Sequence, residues 1–250
     1  THMPLTLAAA RAGKHVLCEK PMAMDVSECC RMIDACEEAG VKLMVAFMSR
    51  FHTPFRRLKE HIEAGVLGRV VACRCRWGFH YPPQPGLWRQ DPALGGGGPL
   101  MDVGSHALDL LRFWLGEVDE VAALSDTLAF DYDVEDTCTV LLRFACGAQG
   151  VVESHFSVPG AENGTEILGT MGIARIPHVN TPEPIQIHTL DGDQIIPPDG
   201  PNRYTAMFEH FAEACLTAGA VEVTGEDGAR NTELIRAAYR SAQERTFVSA

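Results

Sequence analysis

No run in this 250-residue chain approaches the ~18 consecutive apolar residues of a membrane-spanning helix, and no signal-peptide pattern opens it. Positive charge is scarce: 21 Lys and Arg stand against 33 Asp and Glu, for a net charge of −12. The densest basic cluster, Arg56-Arg57-Lys59, falls on an amphipathic helical pattern. Binding a phosphate backbone needs a concentrated basic face, so nucleic acid and membrane are excluded as expected partners. The acidity serves solubility. No CxxC occurs among the nine cysteines. Cys73 and Cys75 alternate along one strand pattern, Cys29 and Cys30 are adjacent, and the odd total has no framework spacing. Reduced core thiols in a cytoplasmic protein are therefore the expectation. A zinc hydrolase built on Cys73, Cys75 and a histidine needs a fourth ligand that no motif supplies, so no metal is expected.

What is present is an ordinary globular composition, 46% hydrophobic and 22% charged, enough for one large domain or two small ones. The spacing predicts a helix over 4–12, a short buried strand over 15–19, a helix over 26–39 ending at Gly40, and a strand over 41–47. Helix, strand, helix, strand with short joins is the rhythm of a parallel α/β sheet. The pattern then changes. A helix over 54–64 and an alternating strand over 69–79 lead through a Pro/Gly-rich stretch to a helix at about 103–115. Strand-like runs follow at 118–129, 136–145, 148–157, 165–170, 173–176 and 185–190, then helices near 204–218 and 228–243. Tight turns such as 145–147 demand antiparallel pairing. The expected fold is α/β plus α+β. Residues 1–50 form a partial parallel sheet, and 51–250 a larger domain whose open, mostly antiparallel sheet is flanked by helices. Val140, Leu142 and Phe144 alternate with Leu141, while Val151 sits on the next strand, so both faces of this sheet are expected to be covered.

Two stretches carry chemistry. In "HVLCEKP", residues 15–21, a buried strand ends in an acid, a base and a proline. In "GGGGPLMDVGSHALDLLRFWLG", residues 95–116, four glycines precede an apolar helix with Asp102 at the N-cap position. Asp102, His106 and Asp109 stand at i, i+4 and i+7 on one face, and a carboxylate beside an imidazole can fix its tautomer and tune its proton affinity. Taken singly, each feature has a structural reading as well: a helix cap, a core histidine, a solvated lysine.

Together with "MSRF", "WRQDP" and the closing "VTGEDGARNTELIRAAYRSA", the two stretches resemble the Gfo/Idh/MocA family of NAD(P)-dependent oxidoreductases in order and spacing, over essentially the whole chain. The resemblance makes the first 50 residues the C-terminal part of a Rossmann-type nucleotide-binding domain, followed by a substrate-binding and oligomerisation domain. It implies NAD or NADP as cofactor, a sugar, polyol or related hydroxy compound as substrate, and a homodimer or homotetramer. It assigns Lys20 to the reacting substrate oxygen near the nicotinamide, His106 to general acid/base work, and Asp102 to holding substrate or orienting His106. Glu19, Lys20, Trp88 and Arg89 would lie against the cofactor. Pro21 would fix the turn that aims Lys20, a cis bond being one way to do so.

The chain departs from the family at its start. It holds no strand followed by G-x-G-x-x-G and a ribose-binding acid, and the glycines at 95–98 lack that context. Two expectations follow: residues precede Thr1 in the complete protein, or the protein is truly shortened. The rival to an oxidoreductase is a non-catalytic or truncated relative that keeps the fold for ligand binding or scaffolding. At the other end, "SAQERTFV" places Arg245 where the family often has glycine, a change expected to affect only a turn.

Overall fold

The computed structural model describes residues 1–250. Helix α1 (His2–Arg11) leads to strand β1 (Val16–Cys18), helix α2 (Val26–Glu38) and strand β2 (Leu43–Val45). β1 and β2 pair in parallel, with Leu17 opposite Met44. α2 shows why this stretch is helical. Asp25 caps it, accepting from Glu28 N at 2.9 Å; Cys29, Met32 and Cys36 recur on its buried face; and Gly40, at φ +63°, ends it. The expected strand 41–47 is shorter because the chain tightens into a 3₁₀ turn, Met48–Phe51.

Beyond it lie α3 (Thr53–Glu63), β3 (Val70–Gly78), a 3₁₀ turn (Trp88–Gln90), the short α4 (Pro92–Gly95), a π-helical turn (Leu100–Gly104) and α5 (Ser105–Leu115). Strands β4 (Val118–Asp126), β5 (Thr137–Phe144), β6 (Gln149–His155), β7 (Gly164–Gly169), β8 (Gly172–Ile176), β9 (Ile185–Thr189) and β10 (Gly192–Ile196) come next. α6 (Arg203–Thr217), α7 (Gly225–Glu244) and β11 (Val248–Ser249) close the chain. The nine strands after β2 form one sheet in the order β10-β9-β8-β7-β3-β6-β5-β4-β11, antiparallel except for the central β3–β6 pair. β10 and β11 carry no sequence signal: four of the five β10 residues are exposed, and β11 has two residues.

One face of the large sheet (Cys75, Val121, Val140, Val152, Ile167) packs against Leu108, Leu111 and Trp114 of α5 and Leu234 and Ala238 of α7. A second cluster surrounds the small sheet and joins Phe47 and Phe51 to Met207 and Val223 from the far end of the chain. α7 thus spans both clusters, while α6 packs against the one around the small sheet. The other face of the large sheet is uncovered in the single chain, leaving Leu124 71% and Leu141 44% exposed.

Candidate active site

Lys20 stands on the bend that follows β1, and the Lys20–Pro21 peptide is cis. Its ammonium donates to Asp102 Oδ1 at 2.8 Å and to the Asp102 carbonyl oxygen at 2.9 Å. Asp102 lies within the π-helical turn, and its second carboxylate oxygen accepts from Arg89 Nε at 2.9 Å. The Arg89 guanidinium sits 4.4 Å from the Trp88 ring centroid, as a cation over an aromatic face. Glu19, Lys20, Trp88, Arg89 and Asp102 line one cavity of about 640 Å³. It opens at the C-terminal end of a parallel strand, where open α/β sheets bind ligands. An ammonium has three donors; Asp102 takes two, which leaves one for a ligand.

His106 lies one turn beyond Asp102. Its ring meets Phe47 edge-on at 6.0 Å between centroids, and its Nδ1 is buried without a hydrogen-bond partner. Burial, then the positive charges of Lys20 and Arg203, hold its pKa well below the usual histidine value, so the ring is neutral at pH 7.

Two sequence expectations are corrected. Asp102 is not an N-cap and makes no hydrogen bond to His106; its carboxylate is taken by Lys20 and Arg89. Asp109 does not belong to a proton relay. It is fully buried and receives Arg50, whose Nη2 lies 2.6 Å from Asp109 Oδ1 and 3.0 Å from Asp227 Oδ1. The reason is geometric: the helical face that holds His106 toward Phe47 turns, within one further turn, into the interior between α5, α7 and the 3₁₀ turn carrying Arg50.

Three contributors had no assigned role in the sequence. Arg50 sits in "MSRF" and ties α5 to the end of β2. Arg203, at the start of α6, donates to Val179 O at 3.1 Å and Asn180 Oδ1 at 2.8 Å. Glu135, in the loop between β4 and β5, accepts from the backbone N–H groups of Gly98 and Leu100. These are contacts across the fold, and no periodicity signals them.

The chain is similar to known proteins along nearly its whole length. A model of an oxidoreductase family with an NAD-binding Rossmann fold matches residues 1–47, and a GFO/IDH/MocA C-terminal domain model matches 55–175. The 1,5-anhydro-D-fructose reductase of Ensifer adhaerens is 35% identical over 232 residues, spanning 91% of this chain and 70% of the relative. The crystal structure of aldose-aldose oxidoreductase from Caulobacter crescentus in complex with glycerol superposes with a TM-score of 0.92 at 35% identity, covering 100% of this chain and 76% of that one. A levoglucosan dehydrogenase in complex with NADH and L-sorbose gives a TM-score of 0.88 at 29% identity, covering 99% of this chain and 76% of that one.

Proposed function

As the chain belongs to the Gfo/Idh/MocA family of NAD(P)-dependent oxidoreductases, we propose that Lys20, Asp102 and His106 are its catalytic set and that its substrate is a sugar, a polyol or a related hydroxy compound. The cavity beside Lys20 suits the nicotinamide end of the cofactor. Trp88 offers an aromatic wall, Pro21 and Leu94 offer apolar surface, and Lys20, with one donor not taken by Asp102, lines the space. Glu19, Lys20, Trp88 and Arg89 would hold that end; bound NAD(P) would accept or donate the hydride at the substrate carbon.

In the oxidising direction the chain's own task is to manage one proton and one developing negative charge. Neutral His106 takes the hydroxyl proton; with Nδ1 buried, the exchange runs through Nε2. Lys20 donates to the same oxygen and stabilises its alkoxide character. Asp102, anchored by Arg89, holds the ammonium in place. In the reducing direction the roles reverse. The carrying observation is the Lys20–Asp102–Arg89 chain on the wall of the cavity, with a neutral histidine one turn away.

The direct test is absorbance at the reduced nicotinamide band, with NAD and NADP each offered against aldoses, anhydro sugars and inositols. Turnover that disappears in Lys20→Ala supports the reading. Turnover that survives in both Lys20→Ala and His106→Gln removes this catalytic set.

The assembly belongs to the same proposal. Exposed Leu124 and Leu141, beside Phe247 at 58% exposure, give the open sheet face an apolar patch suited to a second copy, as a homodimer or homotetramer. Light scattering should report a multiple of the chain mass, and Leu141→Glu should reduce it; a monomer at micromolar concentration would oppose this. A cytoplasmic setting fits nine free thiols, and no helix is long and apolar enough to cross a membrane.

A further inference from the structure

The helical segment that carries Asp102 and His106 has no cap of its own. The π-helical turn Leu100–Gly104 runs directly into α5, and no side chain of a residue at either start caps it. Buried first-turn N–H groups left unpaired would be costly. Two N–H groups at this start, those of Gly98 and Leu100, are paired from outside. Glu135 accepts from Gly98 N through Oε2 at 2.8 Å and from Leu100 N through Oε1 at 3.1 Å, and the Tyr239 hydroxyl of α7 donates to the same Oε1 at 2.8 Å. Glu135 is buried, and a carboxylate at a helix start is favoured by the helix dipole. The glycines make room for this cap. A Cβ on Gly98 would overlap the Glu135 carbonyl oxygen, and one on Gly97 would overlap the Tyr239 hydroxyl. Two of the four glycines at 95–98 are thereby accounted for.

The cap has a consequence for Asp102. Aspartate is among the preferred N-cap residues, and a helix starting just after it would use its carboxylate on the N–H groups of residues 104 and 105. Because Glu135 starts the helical segment earlier, Asp102 lies inside it. Both of its carboxylate oxygens are then available to Lys20 and Arg89. Without Glu135, the least disruptive response is to unwind the first turn back to Asp102, which would cap the shortened helix and leave Lys20.

We propose that Glu135, held by Tyr239, is a positioning residue for the active site: a cap supplied from the β4–β5 loop that keeps Asp102 on Lys20. It acts through Asp102 and touches neither substrate nor cofactor. The proposal rests on the catalytic role of Asp102 given above.

A crystal structure of Glu135→Ala tests the geometry without any substrate. The expected result is a helix beginning after Asp102 and an Asp102–Lys20 pair opened beyond hydrogen-bond distance; an intact pair overturns the proposal. A double-mutant cycle tests the consequence, with 1,5-anhydro-D-fructose and NADPH as probes and Glu135→Gln, Asp102→Asn and their combination as variants. Glu135→Gln alone should lower kcat by about 10–100-fold, the scale of a small misplacement, with little change in the KM for cofactor. In the Asp102→Asn background it should change kcat by less than about threefold, because the two residues act as one. Equal fold-losses in kcat in the two backgrounds overturn the proposal. An Asp102→Asn variant with full kcat removes the catalytic reading of Asp102, and this proposal with it. Should Glu135→Gln fail to fold, Tyr239→Phe removes one of the three hydrogen bonds and must show the same coupling on a smaller scale.

Discussion

Lys20 and Asp102 are 82 residues apart in the chain and 2.8 Å apart in the fold, with side chains 13% and 14% exposed. The lysine comes from the end of the small parallel sheet and the aspartate from the entrance to α5, so the pair exists only when the two halves of the molecule are docked. Replacing Lys20 by alanine would remove the proposed donor to the reacting oxygen and leave Asp102 paired with Arg89. The fold should therefore survive while turnover falls about 10²–10³-fold, the range for loss of one such donor. Lys20→Arg should rescue little, because a planar fork does not replace a compact ammonium. Paired kcat and Tm measurements decide the matter, and a Tm loss with kcat retained would reduce Lys20 to a structural tie.

His52 and His106 carry the pH prediction. Each has a buried Nδ1 without a partner. Burial, then the Arg203 charge, lowers the His52 pKa from 6.5 to about 4, and His106 and His155 shift the same way. Between pH 6.5 and 4 the unfolded chain binds more protons at these positions than the folded one does. The contribution of these histidines is then fully present above pH 6.5 and is lost as pH falls through that window, while Asp109, raised to about 6, acts in the opposite sense. The change in urea midpoint from pH 7 to pH 5 should be less unfavourable in His52→Leu than in the parent, by the share that His52 contributes. Parallel pH profiles for the variant and the parent would remove His52 as a contributor.

The parts of the fold legible in the sequence are those with local causes. α2 announces itself through Asp25, the buried spacing of Cys29, Met32 and Cys36, and Gly40. The antiparallel strands follow from their alternation and tight turns. The site is legible in its residue types and not in its contacts. Asp102 carries every local mark of an N-cap, and only Glu135, 35 residues beyond Leu100, displaces it from that task. Asp109 shares a helical stripe with His106, yet one further turn carries it to Arg50. Periodicity reports which face a residue occupies and is silent about what faces it.

The Arg50–Asp109 pair is a buried tie between the two halves. Arg50 Nε lies 3.1 Å from both Asp109 oxygens, and Asp109 is fully buried. Burial pushes the Asp109 carboxyl up to about 6 against the pull of Arg50, so it remains ionised at neutral pH. Arg50→Met would leave that charge unpaired in the interior. Such breaks cost about 3–5 kcal/mol, equivalent to a Tm drop of roughly 6–20 °C in a chain of this size. Arg50→Met combined with Asp109→Leu should lose much less, since no fully buried charge is left alone; Asp227, which also loses Arg50, is partly exposed, accepts from Thr224 N and lies 3.8 Å from Arg112. A double variant as unstable as the single one would show that packing, rather than charge, is at stake.

Arg245 ends α7 in the left-handed region, at φ 55° and ψ 44°, with its N–H donating to Ser241 O. A side chain there meets its own backbone, whereas glycine does not. Glycine also gains freedom in the unfolded chain, which offsets part of the relief. Arg245→Gly should stabilise the protein by about 0.5–1 kcal/mol, a Tm rise of roughly 1–4 °C, with kcat unchanged because the turn lies outside the cavity beside Lys20. Ala218, the cap of α6 at φ 57°, provides a second case of the same backbone geometry. Ala218→Gly should shift Tm in the same direction. A Tm that falls in both variants would mean that these side chains make contacts worth more than the backbone relief, and the turn at the end of α7 would owe its stability to the arginine.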